Sequence, residues 1–396
     1  QIVNGLKFGL NLSGLADERN TPYTSTVDII KNYWAQGSIH PAYADPEQTL
    51  LSYEGLDLMQ NTVAMMSSDI SGYRKYRQKS FNGSASLEYD FGTVSKALEG
   101  LSVSGLISYD FRYDDNEAYR KEYSLYAYDS TTDSYISQVF PTWTNLLRRE
   151  NYMKQQILAH VMLNYDRTFK EKHHVSGLVG WEVQQRDGDN FYAYGDLGYS
   201  SPYFTALNGS NQVVGIDKDK GQLYNVGYEA LIGRVNYGYD DRYLAEFQFR
   251  YDGSSKFAPG HQWGFFPSAS IGWRVSEEPF FKNTPALSFI NQLKLRASYG
   301  VLGDDGMDLN YQWLTGYSYQ GGNVSGNGWY NAYAPGYMFG GSFIYGANPQ
   351  PIPNTNITWL TSKTFNIGVD FEAWNGKLGA SFDYFNRTRS GIFKSN

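Results

Sequence analysis

The residues able to do chemistry are few, and their spacing argues against most reactions. The five histidines are His40, His160, His173, His174 and His261. None stands at the close, paired spacing that a zinc site draws on. His173 and His174 are adjacent, so on a strand they point to opposite faces. Two carboxylate clusters fall in turn-forming stretches, Asp304-Asp305-Gly306-Met307-Asp308 and Asp217-Lys218-Asp219-Lys220-Gly221. Calcium takes oxygen ligands from flexible loops of this kind. Neither cluster has the full spacing of a calcium-binding loop, so the solvated-turn reading is preferred. Asp304, Asp305 and Asp308 are kept only as weak calcium candidates, and no cofactor is expected. Paired carboxylates also serve glycosidases, but nothing along the chain makes two of them face each other. No G-x-S-x-G, H-E-x-x-H, P-loop or G-x-G-x-x-G motif occurs. No catalytic residue is nominated, and the chain is not expected to be an enzyme.

Binding is better represented. Tyr33, Trp34, Trp313, Trp329 and Tyr330 lie in irregular stretches, where rigid rings with a polar tip can stack on sugars or on a partner protein. Loop packing and interfacial anchoring are the plainer use of such residues. Arg112, Arg250 and Arg296 belong to a different setting, the polar face of strictly alternating segments.

Those segments are the elements that must hold everything else. Ala85, Leu87, Tyr89 and Phe91 alternate with Ser84, Ser86, Glu88 and Asp90. Ile107, Tyr109 and Phe111 alternate with Ser108, Asp110 and Arg112. Tyr243, Ala245, Phe247, Phe249 and Tyr251 alternate with Glu246, Gln248, Arg250 and Asp252. The pattern returns around Ile157–Tyr165, Val175–Val183, Ala269–Trp273, Leu293–Tyr299, Phe365–Phe371 and Leu378–Tyr384. A period of two marks a sheet with one apolar and one polar face. Apolar runs often end in Tyr, Phe or Trp, as the aromatic girdles of a membrane barrel do, and the opposite face is ionised, as a watery lumen permits.

Composition agrees. Aromatics make up 17% of the 396 residues, with 35 Tyr, and there are 41 Gly. Charged residues are 18%, below the roughly 25% of soluble domains. The formal net charge of −7 excludes an ordinary nucleic-acid binder. The absence of Cys excludes disulfides and thiolate metal sites. No run approaches the ~18 apolar residues of a membrane helix. A mean hydropathy of −0.50 is uninformative for barrels, whose strands average to neutral.

Connector lengths alternate as well. Short ones lie near Gly92–Gly100, Lys170–Lys172, Tyr239–Asp241, Ser276–Ile290 and Glu372–Lys377. Longer ones are expected near Glu18–Arg74, Asp115–Arg148, Asp189–Gly221, Gly253–Trp263 and Leu302–Ile357, residues 18–74, 115–148, 189–221 and 302–357 being the large loops. That is the outer-membrane arrangement of tight periplasmic turns and large extracellular loops. Ser25-Thr26-Val27-Asp28 before Ile29-Ile30-Lys31 predicts a capped helix inside the first loop. About 11 strands are expected, and since bacterial single-chain barrels close with even numbers, all 396 residues are read as one part of a barrel domain.

The stretch Gly233–Glu278 carries a resemblance. It contains Gly-Arg-Val-Asn-Tyr at 233–237, Asp-Arg-Tyr-Leu at 241–244 and Arg250-Tyr251-Asp252-Gly253-Ser254-Ser255-Lys256-Phe257-Ala258-Pro259-Gly260. Trp263-Gly264-Phe265-Phe266-Pro267-Ser268 and Ser276-Glu277-Glu278 follow. With Leu293-Lys294-Leu295-Arg296-Ala297-Ser298-Tyr299-Gly300 and Asp383-Tyr384-Phe385-Asn386, this resembles the SusC/RagA-type TonB-dependent transporters of Bacteroidetes. The resemblance implies an all-β transmembrane antiparallel barrel, about half of a 22-stranded one, in the outer membrane of a Gram-negative cell. It implies energised import of a bulky nutrient, an oligosaccharide or a peptide. The implied partners are a SusD-like surface lipoprotein, TonB-ExbB-ExbD acting through a plug, and outer-membrane lipid; no nucleic acid is among them. The chain starts at Gln1, and no signal peptide, TonB box or plug is visible, so a mature or truncated product is expected. A siderophore or cobalamin receptor, a passive porin and a soluble glycan-binding or glycosidase β-protein are the alternatives.

Overall fold

A computed structural model describes residues 4–35, 40–53, 61–140, 144–197, 212–216, 224–306, 311–319, 336–345, 347–349 and 353–391. In chain order the strands begin with β1 (Leu6–Pro22), β2 (Gly72–Asp90), β3 (Leu101–Arg120), β4 (Tyr123–Asp129), β5 (Ser134–Phe140) and β6 (Asn145–Phe169). Then come β7 (His173–Leu197), β8 (Val213–Gly215), β9 (Tyr224–Tyr239), β10 (Tyr243–Ser254), β11 (Trp263–Arg274) and β12 (Ile290–Asp304). The last are β13 (Tyr317–Tyr319), β14 (Gly336–Phe339), β15 (Ser342–Tyr345), β16 (Ala347–Pro349), β17 (Leu360–Ala373) and β18 (Leu378–Ser390). Among the described residues four short α-helices accompany them: α1 (Thr26–Ala35), α2 (Thr62–Met66), α3 (Ser68–Ser71) and α4 (Pro279–Lys282).

Eleven strands form the wall in the order β1-β2-β3-β6-β7-β9-β10-β11-β12-β17-β18, with β8 added beside β7. Neighbours are antiparallel throughout. β1 and β18 each have one neighbour, so the sheet is open, as part of a larger barrel must be. The register places apolar side chains together on one face. Phe247 lies opposite Val235 and Ala269, and Ile367 lies opposite Ala297 and Tyr384. These apolar groups are exposed rather than buried: Phe8, Leu10 and Leu12 on β1, Val161 and Leu163 on β6, Phe247 on β10 and Phe382 on β18. The accessible surface is 26034 Å², against about 15,700 Å² for a compact protein of this mass. A face that apolar and that bare needs hydrocarbon against it.

The strands run further than their alternation suggests. β3 and β6 continue past the apolar belt through Asn116, Glu117, Arg149 and Glu150. Polar residues there occupy both faces, which erases the period of two while leaving the hydrogen-bond ladder intact. Among the described residues, the buried clusters of soluble type lie in the loops and at the strand tips. Leu51, Ala64 and Leu125 form one, and Tyr119, Leu147 and Leu197 another. The predicted helix forms as α1, with the Ser25 hydroxyl accepting from the Asp28 backbone N–H at 3.1 Å.

Candidate functional site

The inward face of the wall carries the three predicted arginines. Arg250, on β10, reaches across β9 to place its guanidinium 3.2 Å from Glu182 and 2.9 Å from Asp252. Arg296, on β12, donates to Asp370 of β17 at 3.1 Å and to Asp383 of β18 at 2.7 Å. Gly368 makes that reach feasible: a Cβ there would sit 2.6 Å from the guanidinium carbon. Arg112 is held by Asp114 at 2.9 Å. All are partly solvent-exposed pairs, which contribute little to stability. Their effect is to neutralise charge along the wall.

The long-loop end is closed by an apolar clasp. Phe257, in the turn between β10 and β11, is 1% exposed and packs against Trp359, with ring centroids 5.4 Å apart. Phe266 also meets Trp359, edge-on, with centroids 5.2 Å apart. The Trp359 indole N–H donates to the Gln262 carbonyl at 2.9 Å. Lys256 pairs with Asp305 at 3.3 Å, and the Ser254 hydroxyl donates to the same carboxylate at 3.1 Å. Asp305 is therefore engaged by the clasp, while Asp304 accepts the Gly306 N–H of its own turn at 2.8 Å. The two carboxylates serve separate partners, and Asp308 and the Asp217–Gly221 cluster lie outside the described residues.

A charged clasp closes the short-turn end. Glu278 is buried between β11 and α4. It accepts from the Tyr243 hydroxyl at 2.6 Å, the Trp273 indole at 3.0 Å and Arg242 at 3.0 Å. The Tyr243 and Trp273 hydrogen bonds, aided by the Arg242 cation, hold its carboxyl below the ordinary value of 4.5. Arg274 and Lys282 pair with the neighbouring Glu277 at 3.1 and 2.6 Å.

The aromatic candidates are scattered. Tyr33 and Trp34 project from α1, 67% and 80% exposed, in an edge-on pair. Trp313 is half-buried, with its indole N–H turned inward and no acceptor among the described residues. Trp329 and Tyr330 lie outside the described residues. His173 and His174 take opposite faces, His173 against Tyr237 at 2.8 Å and His174 against Asp166 at 3.2 Å. The two clasps were not visible as sites in the sequence. Their turns were marked in the sequence, by Asp252-Gly253, Pro259-Gly260 and Ser276-Glu277-Glu278, but the partners that fasten them were not.

Comparison with known proteins fits this geometry. Residues 19–395 match the family model described as TonB dependent receptor-like, beta-barrel. The chain belongs to that family. It is thus an outer-membrane β-barrel chain, and the bare apolar face of the receptor wall is its lipid face. A TonB-dependent receptor, P39, of Formosa agariphila is 31% identical over 236 residues, 58% of this chain and 20% of that protein. SusC of Bacteroides thetaiotaomicron is 36% identical over 160 residues, 40% of this chain and 14% of SusC. A solved structure of the RagAB peptide transporter superposes with a TM-score of 0.69 at 18% identity, covering 98% of this chain and 39% of that one. The matched region is thus well under half the length of each of these relatives.

Proposed function

We propose that the receptor imports a bulky nutrient, an oligosaccharide or a peptide, across the outer membrane, energised by TonB-ExbB-ExbD through a plug. A SusD-like surface lipoprotein caps the long-loop end, which faces the cell exterior. The observation that carries this reading is the contrast between the two faces of the wall. Its outer face is apolar, and its inner face is lined by charges paired across strands, as in Arg296 with Asp370 and Asp383. A lumen so lined is wet and does not itself break bonds. Kinship with SusC and likeness to the RagAB fold support an oligosaccharide or peptide cargo over a metal chelate. Tyr33 and Trp34 of α1 are assigned to contact with cargo or lipoprotein, since two bare rings on one helix end are costly in water.

The test is uptake by cells carrying the complete receptor, offered labelled oligosaccharides and peptides. Uptake of at least one cargo is expected to vanish both on deleting the receptor and on deleting TonB. Uptake that survives loss of TonB would make the protein a passive pore.

A further inference from the structure

Two inward cations at one level of the wall have no carboxylate of their own. The register lays inward side chains in rows across the strands. One row runs Ser80, Arg112, Lys154, Gly188 and Tyr224, and the next Asn82, Asp110, Gln156, Arg186 and Val226. Lys154 and Arg186 thus stand on neighbouring strands in adjacent rows, and Gly188 brings no side chain between them. They share a cavity of about 380 Å³ with Gln78, Asn82, Gln156 and Tyr224. Among the described residues neither makes an ion pair; Arg186 instead lies over the Tyr228 ring, 5.2 Å from its centroid. Arg112 is matched by Asp114, so Asp110 alone opposes the two cations and the cavity is net positive. Arg234 and Lys294 also lack ion pairs, but Lys294 shares its cavity with Glu246 and Asp241.

The cavity's height on the wall matters. On β6 and β7 the outward neighbours at this level, Gln155, Asp187 and Gln185, are polar; on β2 and β3 the same row carries Phe81 and Phe111, and Ile157 and Val183 follow towards the short turns, so the edge of the apolar belt runs through this level. The two cations therefore sit at the rim of the belt on the long-loop side, below the polar strand ends that continue past it.

We infer that this cavity is a subsite for an acidic sugar unit, the uronate of an oligosaccharide. An ammonium beside a guanidinium suits one carboxylate. The carboxamides of Gln78, Asn82 and Gln156 both donate and accept, as neighbouring sugar hydroxyls require. A peptide is disfavoured because the wall's own N–H and C=O groups are consumed by its ladders, leaving no backbone edge to pair with. The inference rests on the importer reading and narrows its cargo.

The test is calorimetry on the complete receptor in detergent at low salt, with tetragalacturonate, its methyl ester and a tetraglutamate peptide as probes. Tetragalacturonate is expected to bind at least about tenfold tighter than the ester, as one charge-assisted contact warrants. Lys154→Gln with Arg186→Gln should erase that preference, and Lys154→Arg should keep it. Each variant is checked for folding by its mobility on unheated gels. If the double variant does not fold, Lys154→Gln alone should reduce the preference. Equal binding of acid and ester, a preference that survives both substitutions, or tetraglutamate binding as tightly as tetragalacturonate would overturn the inference. TonB-dependent uptake of a neutral cargo would persist in any of those cases, so the two readings fail separately.

Discussion

The two ends of the wall around β10 and β11 are closed in opposite ways. At the long-loop end the clasp is apolar and assembled from distant sequence: Phe257 and Phe266 meet Trp359 about a hundred residues on, and Lys256 meets Asp305. At the short-turn end the clasp is charged and local: Arg242, Tyr243, Trp273 and Glu278 converge on one carboxylate. Burial of an aromatic ring holds regardless of pH and salt, whereas a carboxylate clasp holds only while ionised. The contrast suits a wall whose tight turns need only local fastening while its long loops must be gathered from far along the chain.

Removing the apolar anchor should have the largest effect. Phe257→Ala is expected to cost about 3–5 kcal/mol, seen as a lower urea midpoint for loss of the folded band on unheated gels. A loss under about 1 kcal/mol would mean that the loop end is held elsewhere. Next comes Gly303, where a Cβ would stand 2.0 Å from the Phe266 ring. Gly303→Val should cost about 1–3 kcal/mol by displacing that ring, and the same denaturation series reads it. At the other end, Lys170 and Glu171 both adopt left-handed backbone, with φ of 50° and 59°. Replacing them by Asn-Gly is expected to stabilise by about 1 kcal/mol; a neutral or negative change would show that neighbours already compensate for the strain. The smallest effect is a dependence on pH that is flat near neutrality and appears only in acid. Because the Glu278 carboxyl is held below its ordinary 4.5, its contribution is complete above that pH and fades as pH falls through the lower folded value. The stability gap between the wild type and Glu278→Gln should narrow in acid, and a gap constant from pH 7 to 3 would contradict the charged clasp.

The wall was legible in the sequence because lipid outside and water inside impose a period of two that survives wherever both solvents act. Phe247 against Gln248 and Ile367 against Gly368 follow it, and the strand order along the chain follows from hairpin connections. β1 was not singled out, although Phe8, Leu10 and Leu12 alternate; its second half carries Leu15 out of phase and a polar run from Asp17 to Asn20, which hides the pattern. The clasps were harder to foresee. Nothing local pairs Phe257 with Trp359, because that contact depends on how a long loop returns to the wall. The ion-paired state of Arg250 and Arg296, set against Lys154 and Arg186, which make no ion pair among the described residues, depends on cross-strand register. Register is fixed by which residues oppose one another across the ladder, and the sequence of one strand does not show that.

The most direct test of the account is a spin-label scan along β10 of the complete receptor in lipid, since this stretch has no native cysteine. Labels at Glu246, Phe247, Gln248, Phe249 and Arg250 would be probed with lipid-soluble oxygen and a water-soluble nickel chelate. Oxygen contact should peak at Phe247 and Phe249, and nickel contact at Glu246, Gln248 and Arg250. Uniform exposure along the strand, or the opposite phase, would contradict a wall with lipid outside and a charged lumen within.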